Sequence, residues 1–277
     1  MPPPSLETLE TSIYQAIEEM GNEESLKLLG QIAGEAPRYY EAHLRMEHSV
    51  PSPSSISRCR LQQYFKATGQ KPDVNLPAAW TKRSAAGVMT EAYWLTILRL
   101  AGLDIQLPSV DGYECGSYMM AHPDSLIGGD GLLELKDKNG WAYKRLIEGQ
   151  GVAYEEPSEY TQTQLYLQAT GRSWALYLAS PADPAMLESM MRNYNKYKDI
   201  PDWHLPLFYL EGINRREQDI QAGLARADMV HHDLSSTETG VIPPREYDGK
   251  ELNSNGKTKA FPCGYCQFQK TCVEVYG

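Results

Sequence analysis

No uninterrupted apolar run in the sequence approaches the roughly 18 residues a membrane-spanning helix needs, and Met1-Pro2-Pro3-Pro4 supplies neither the basic nor the apolar segment of a secretory leader. A cytoplasmic protein is expected, bacterial or in a phage-infected host, with no membrane partner. Basic residues are scarce too: 26 Lys and Arg stand against 36 Asp and Glu, a formal charge of −10. That balance excludes a protein that coats nucleic acid by general attraction, so any contact with DNA must be local. Arg58, Arg60, Lys66 and Lys71 form one basic stretch, Lys82 and Arg83 a second, Lys144 and Arg145 a third. Internal repeats and low-complexity tracts are missing. So is a Walker A loop, which excludes a helicase-type motor. The 5 cysteines, an odd number, do not suit a secreted disulfide framework, and three of them crowd the C-terminus at ligand-like spacing.

What is present suits one large domain with helical additions: 277 residues, 42% of them hydrophobic, can bury a full core. Leu6, Leu9, Ile13 and Ile17 recur at helical spacing up to Gly21, and Asn22 is placed to cap a second helix through Leu26, Leu29 and Ile32. After the Pro51–Ser55 break a short helix is expected over 56–67, then a longer one over 85–100. Its apolar face is Val88, Ala92, Leu95 and Leu98, its stop is Gly102, and Glu91 lies beside that face. Short β-like runs follow between Tyr113 and Lys138, with Gly128–Gly131 as a hairpin turn. A helix is expected over 158–170, a buried strand over 174–179, a helix over 185–198, a strand over 205–210 and a long helix over 211–232. From Gly240 the chain reads as loop-rich and ends in the cysteines. This order indicates an α/β domain with a mixed central sheet.

The segment His122-Pro123-Asp124 to Glu134-Leu135-Lys136 carries the densest chemistry. Glu134 and Lys136, two apart on a strand, point to one face, and the preceding hairpin arm can bring Asp124 alongside. Carboxylate oxygens hold hard divalent cations, which polarise a phosphoryl group and activate water, and a lysine stabilises developing negative charge. By spacing alone an exposed strand with an ion pair on one face fits equally well. Gln162 and Tyr166, four apart, share a helix face; Gln164 points elsewhere. Asp130 is the rival to Asp124, but its glycine-rich turn suits a structural role. His122 reads as a structural hydrogen-bonding residue, and His231 and His232 carry no partner spacing. Cys263, Cys266 and Cys272 form C-x2-C-x5-C, three thiolates that need one more ligand to hold either zinc or an iron-sulfur cluster. Cys115 reads as a small buried hydrophobe.

Taken together, these segments resemble the PD-(D/E)XK nuclease superfamily, in particular RecB-like, AddB-like and CRISPR-adaptation-like exonucleases, over residues 55–277. Pro123-Asp124 followed after nine residues by Glu134-Leu135-Lys136 is similar to the family core motif, Gly87-Val88-Met89-Thr90-Glu91 to its upstream helical motif, and Gln162 with Tyr166 to its Gln-x-x-x-Tyr. The segment around Cys59 resembles the one that donates a distant first cysteine in the iron-sulfur members.

The resemblance implies a restriction-endonuclease-like core over 81–239, a helical region over 1–80 that includes Cys59, and a cluster-binding segment over 240–277. It also implies Mg2+ or Mn2+ held by Glu91, Asp124, Glu134 and the Leu135 carbonyl, with Lys136 orienting the attacking water and Gln162 and Tyr166 shaping the site. Cys59, Cys263, Cys266 and Cys272 would hold a structural [4Fe-4S] cluster. The implied activity is DNA exonuclease, with in-line attack on phosphorus releasing a 3′ hydroxyl and a 5′ phosphate, in phage or bacterial recombination or repair and with a recombination protein as possible partner. Two alternatives stand beside it: a CRISPR-adaptation nuclease that trims DNA with an integrase, and a non-catalytic DNA-binding or scaffold protein on a degenerate nuclease fold.

Overall fold

The computed structural model describes residues 5–46, 51–73, 78–192, 204–235, 241–244, 246–247 and 266–276, without the side chains of 35–46, 78–86, 88 and 190. At its centre is a five-stranded mixed sheet in the order β1-β4-β5-β6-β7: β1 (Ile105–Gln106), β4 (Ser125–Ile127), β5 (Gly131–Lys138), β6 (Trp174–Pro181) and β7 (Tyr209–Asn214). Only β5 and β6 are parallel, over the full register from Gly131 opposite Trp174 to Lys138 opposite Pro181. The other pairs are antiparallel. A separate two-stranded ribbon joins β2 (Tyr113–Cys115) to β3 (Met119–Ala121).

Helices cover both faces of the sheet. On one face α1 (Leu6–Glu19), α2 (Glu23–Met46) and α4 (Ala78–Leu100) bury Leu9, Ile13, Ile32, Leu95 and Leu98 against Ile127, Leu133, Leu176 and Leu178. On the other, α7 (Pro157–Thr170) and α9 (Glu217–Ser235) bury Leu165, Ala227 and Val230 against Leu132, Ala175 and Tyr177. Alternation explains the split: in β5 the odd residues Leu133 and Leu135 face the first layer and the even ones the second. Strand β6 is buried along its whole length, as a strand covered on both faces must be. A crossover of α5 (Gly140–Glu148), α6 (Val152–Glu155) and α7 links the parallel pair. Two remaining helices, α3 (Arg60–Ala67) and α10 (Gln269–Tyr276), pack together through Leu61, Tyr64, Phe65 and Phe268, and α8 (Pro184–Arg192) sits against α5 through Leu187. Among the described residues no helix is long and apolar enough to cross a membrane.

Several expectations are met in detail. The Asn22 side chain accepts the Ser25 N–H at 2.8 Å, and α7 begins at Pro157 and ends on Gly171 in the left-handed conformation. Others are corrected. The strand expected over 205–210 is β7, Tyr209–Asn214, and the helix expected from 211 begins at Glu217. Leu205 and Phe208, read as strand residues, are instead buried in loop that leads into the strand. Glu211 fits within β7 because its carboxylate has the Val152 N–H, at 2.8 Å, and the Tyr209 hydroxyl as donors. The short helix expected over 56–67 starts only at Arg60, after a turn that Cys59 closes. Beyond 240 the expected loop gives way to α10, a two-turn helix. Residues 193–198 of the helix expected over 185–198 lie outside the described residues.

Candidate active site

The site grows from the point where β4 starts. Ser125 pairs with Leu133, so on that edge β5 has no strand partner beyond Leu133. The Asp124 side chain takes over: its Oδ2 accepts the Leu135 N–H at 2.6 Å. In an extended strand a residue's C=O points to the same edge as its N–H, which leaves the Leu135 carbonyl beside the Asp124 carboxylate.

Glu134 and Lys136 lie on the α7 face of β5, joined by a close ion pair between Lys136 Nζ and Glu134 Oε1. Glu134 is fully buried. The same Oε1 accepts the Gln162 Nε2 at 3.0 Å, and that nitrogen also reaches the Tyr166 hydroxyl oxygen at 2.9 Å. Helix α7 thus clamps one carboxylate oxygen while the other, Oε2, is buried without a hydrogen-bond partner among the described residues. Glu91, on α4, completes the group: its carboxyl feels the charges of Asp124, Lys136 and Glu134.

Electrostatics follow from burial. Burial pushes the Glu91 carboxyl up to about 8, with Asp124 adding to the rise and Lys136 opposing it. Burial likewise pushes Glu134 up to about 8, against the pull of the Lys136 ammonium. Burial favours neutral Lys136, but the carboxylates of Glu134, Asp124 and Glu159 more than offset it and raise its pKa well above the ordinary lysine range. Tyr166 is held protonated, first by burial and then by the neighbouring Glu134 carboxylate. Three carboxylates facing one ammonium, when ionised, leave an excess of two negative charges.

The donor set therefore suits a hard divalent cation: carboxylate and carbonyl oxygens, with one buried oxygen unsatisfied. Among the described residues no three His, Cys, Asp or Glu side chains form a group that could hold one ion; Lys136 pairs with Glu134 Oε1, and the Leu135 N–H donates to Asp124 Oδ2. Ligation through Glu134 would use the free Oε2.

A cavity of about 970 Å3 opens beside the site, from Glu159 and Gln162 past Arg58 and Arg145 to Cys59, Cys266 and Cys272. These three cysteines are partly buried, packed against Phe65 and Phe268. Burial raises the Cys59 thiol, against the amides of Gln62 and Leu61 at the start of α3. Cys263, the fourth of the expected set, lies outside the described residues.

The remaining expected residues separate cleanly. Asp130 is structural: its carboxylate accepts the Ser173 N–H at 3.2 Å and the Ser173 hydroxyl, tying the hairpin turn to the start of β6. His122 packs its ring against Gly112, whose φ is +76°. His231 stacks on Tyr118 at 3.6 Å. Cys115 is wholly buried and donates to the Leu165 carbonyl.

Of the expected basic contacts, Arg60 turns its guanidinium to Asp233 through bonds of 2.5 and 2.6 Å. Lys144 pairs with Glu148 and Arg145 with Glu156, whereas Arg58 is exposed at the cavity. The side chains of Lys82 and Arg83 lie outside the described residues. Sequence reading missed Lys138 and Glu159, which adjoin the site as an ion pair of 2.6 Å; the third alternate position of β5, after Glu134 and Lys136, was the available signal.

No protein-family model and no curated protein matches the sequence. Solved structures similar to the chain include the alkaline exonuclease LHK-Exo from Laribacter hongkongensis, at 15% identity over 73% of this chain and 100% of that one, with a TM-score of 0.43. LHK-Exo in complex with dAMP matches at 15% identity over 68% and 89%, TM-score 0.45, and SSO0001 at 14% identity over 91% and 97%, TM-score 0.40.

Proposed function

We propose that the protein is a divalent-metal-dependent DNA exonuclease of the PD-(D/E)XK type. The observation that carries this reading is the convergence of Glu91, Asp124, Glu134 and Lys136 at the free edge of β5, with one buried Glu134 oxygen left unsatisfied. Glu91, Asp124, Glu134 and the Leu135 carbonyl would hold Mg2+ or Mn2+, which when bound supplies Lewis-acid stabilisation and an acidified water. Asp124, anchored on the Leu135 N–H, is preset in direction. Gln162 holds Glu134 Oε1 and so aims Oε2 into the site. Lys136 keeps its proton at Nζ and presents positive charge to the scissile phosphate; Tyr166 keeps its hydroxyl proton and backs Gln162. Water adds in line to phosphorus, the bond from phosphorus to the 3′ oxygen breaks, and that oxygen takes up a proton to leave as a 3′ hydroxyl.

We also propose that Cys59, Cys263, Cys266 and Cys272 hold a [4Fe-4S] cluster that staples the chain. The packing of Cys59, Cys266 and Cys272 against one apolar cluster of Leu61, Tyr64, Phe65 and Phe268 supports it, and closing so long a loop removes much unfolded-chain entropy.

The test is degradation of linear single- and double-stranded DNA with Mg2+, Mn2+ or EDTA. Metal-dependent cleavage lost in Asp124→Ala and Lys136→Ala is expected; equal activity in those variants would refute the site. For the cysteines, iron and sulfide analysis after anaerobic purification is expected to give iron that Cys59→Ser lowers, and zinc without iron would overturn the cluster.

A further inference from the structure

We infer that Lys138 and Glu159 are positioning residues for this site: their ion pair, between a buried ammonium and a partly exposed carboxylate, fixes the first turns of α7 against β5 and β6 and thereby sets where Gln162 holds the Glu134 carboxylate. The inference rests on the nuclease reading above and goes beyond it.

Lys138 is the last residue of β5 and is 5% exposed. Its Nζ lies 2.6 Å from Glu159 Oε1 and 3.2 Å from Glu156 Oε2. The other oxygen of Glu159 accepts the hydroxyl proton of Tyr177, and Tyr177 stands directly opposite Glu134 in the β5–β6 register. One carboxylate on α7 is thus tied to both central strands. It lies three residues before Gln162, one turn away, and the Thr163 hydroxyl donates back to the Glu159 carbonyl at 2.9 Å. Glu156, one turn earlier, is held by Arg145 at 2.7 Å as well.

Packing alone does not account for this arrangement. Buried charges are expensive even when paired, and apolar residues of similar volume usually stabilise a core as well or better. What an ion pair with fixed hydrogen bonds supplies, and apolar contact does not, is direction. Greasy side chains would let α7 slide or rotate against the sheet, whereas Gln162 must satisfy Glu134 at 3.0 Å and Tyr166 at 2.9 Å from the same nitrogen. A misplacement of about 1 Å at a reacting site costs on the order of a hundredfold in rate.

The test compares Glu159→Gln, Lys138→Met, Lys138→Arg and Tyr177→Phe with the wild-type chain, and uses Asp124→Ala as control, since Asp124 contacts neither Lys138 nor Glu159. Each is measured for kcat and KM on linear DNA with Mn2+, for Mn2+ affinity by calorimetry, and for melting temperature. Expected are a fall in kcat of about tenfold to a hundredfold in Glu159→Gln and Lys138→Met, a weaker Mn2+ affinity and an unchanged KM for DNA. Lys138→Arg is expected to recover part of kcat, and Tyr177→Phe to shift kcat in the same direction by less.

Unchanged kcat and Mn2+ affinity in folded Glu159→Gln and Lys138→Met would overturn the inference while leaving the nuclease reading intact. A loss of kcat that merely follows melting temperature across the set would overturn it as well. Should the buried-charge variants fail to fold, Tyr177→Phe, which removes a single oxygen atom, decides by its kcat and Mn2+ affinity. A wild-type chain that neither binds Mn2+ nor cleaves DNA, or an Asp124→Ala variant as active as wild type, would remove the nuclease reading itself.

Discussion

On the nuclease proposal, divalent-metal binding is expected to strengthen steeply with pH between about 6 and 8 and then level off. Burial drives the carboxyls of Glu91 and Glu134 up to about 8 in the metal-free protein, so at pH 6 both hold protons that an incoming cation must displace. Each displaced proton weakens apparent affinity about tenfold per pH unit below the pKa. From pH 7 to pH 6 the loss is therefore about tenfold if one proton leaves and about a hundredfold if both do. Stability has the opposite dependence. In the window from 4.5 to about 8 the native state binds more protons than the unfolded chain, so the metal-free protein loses stability as pH rises through it. A bound cation restores what is lost. Calorimetric titration with Mn2+ at pH 6, 7, 8 and 9, in two buffers of different ionisation enthalpy, counts the protons released directly. Melting in EDTA over the same range checks the sign. Glu134→Gln is expected to remove one released proton from the count. Affinity that is flat from pH 6 to 8, with no protons released, would show that these carboxyls do not share the cation.

Two further outcomes follow from the packing. Asp233→Ala strands the Arg60 guanidinium, which has an 18% exposed side chain and is held at 2.5 Å. Unpairing a buried charge costs about 3–5 kcal/mol, measurable as a lowered urea midpoint, and a midpoint equal to wild type would refute the pairing. Gly112→Ala places a methyl group 2.2 Å from His122 Cε1 on a backbone whose φ is +76°. A loss on the order of 1–3 kcal/mol is expected, of which His122→Ala in the same chain recovers the steric part but not the backbone part.

Periodicity made much of this fold readable. The alternation in Leu132-Leu133-Glu134-Leu135-Lys136 announces a strand with charge on one face, and the four-residue spacing of Gln162 and Tyr166 announces a shared helix face; the structure has both, in β5 and α7. The sequence could not show that the Gln162 amide would split between Glu134 and Tyr166, because that depends on the distance between two layers. Strand β7 was misplaced for a related reason. Leu205-Pro206-Leu207-Phe208 is more apolar than Glu211-Gly212-Ile213-Asn214, but β7 owes its place to pairing with β6 and to the donors that meet the Glu211 carboxylate. Arg60 read as a surface cation because its partner Asp233 lies 173 positions away. Lys138 and Glu159, 21 apart, share no helical or strand period and could be matched only once α7 lay on the sheet.

The contact between α3 and α10 has a consequence for how the chain is made. Thr271 donates its N–H at 3.1 Å and its hydroxyl at 2.7 Å to Asp73, across 198 residues of sequence, and Cys272 and Cys59 pack against one apolar cluster across a still wider separation. A ribosome delivers the first partner long before the second, so this corner stays open until residues 266–276 have emerged, by which point every strand of the sheet has been made. Removing residues 266–276 would spare every strand of the sheet and still leave Leu61, Phe65 and Cys59 facing solvent, a lesion of proteolytic sensitivity and aggregation rather than of topology.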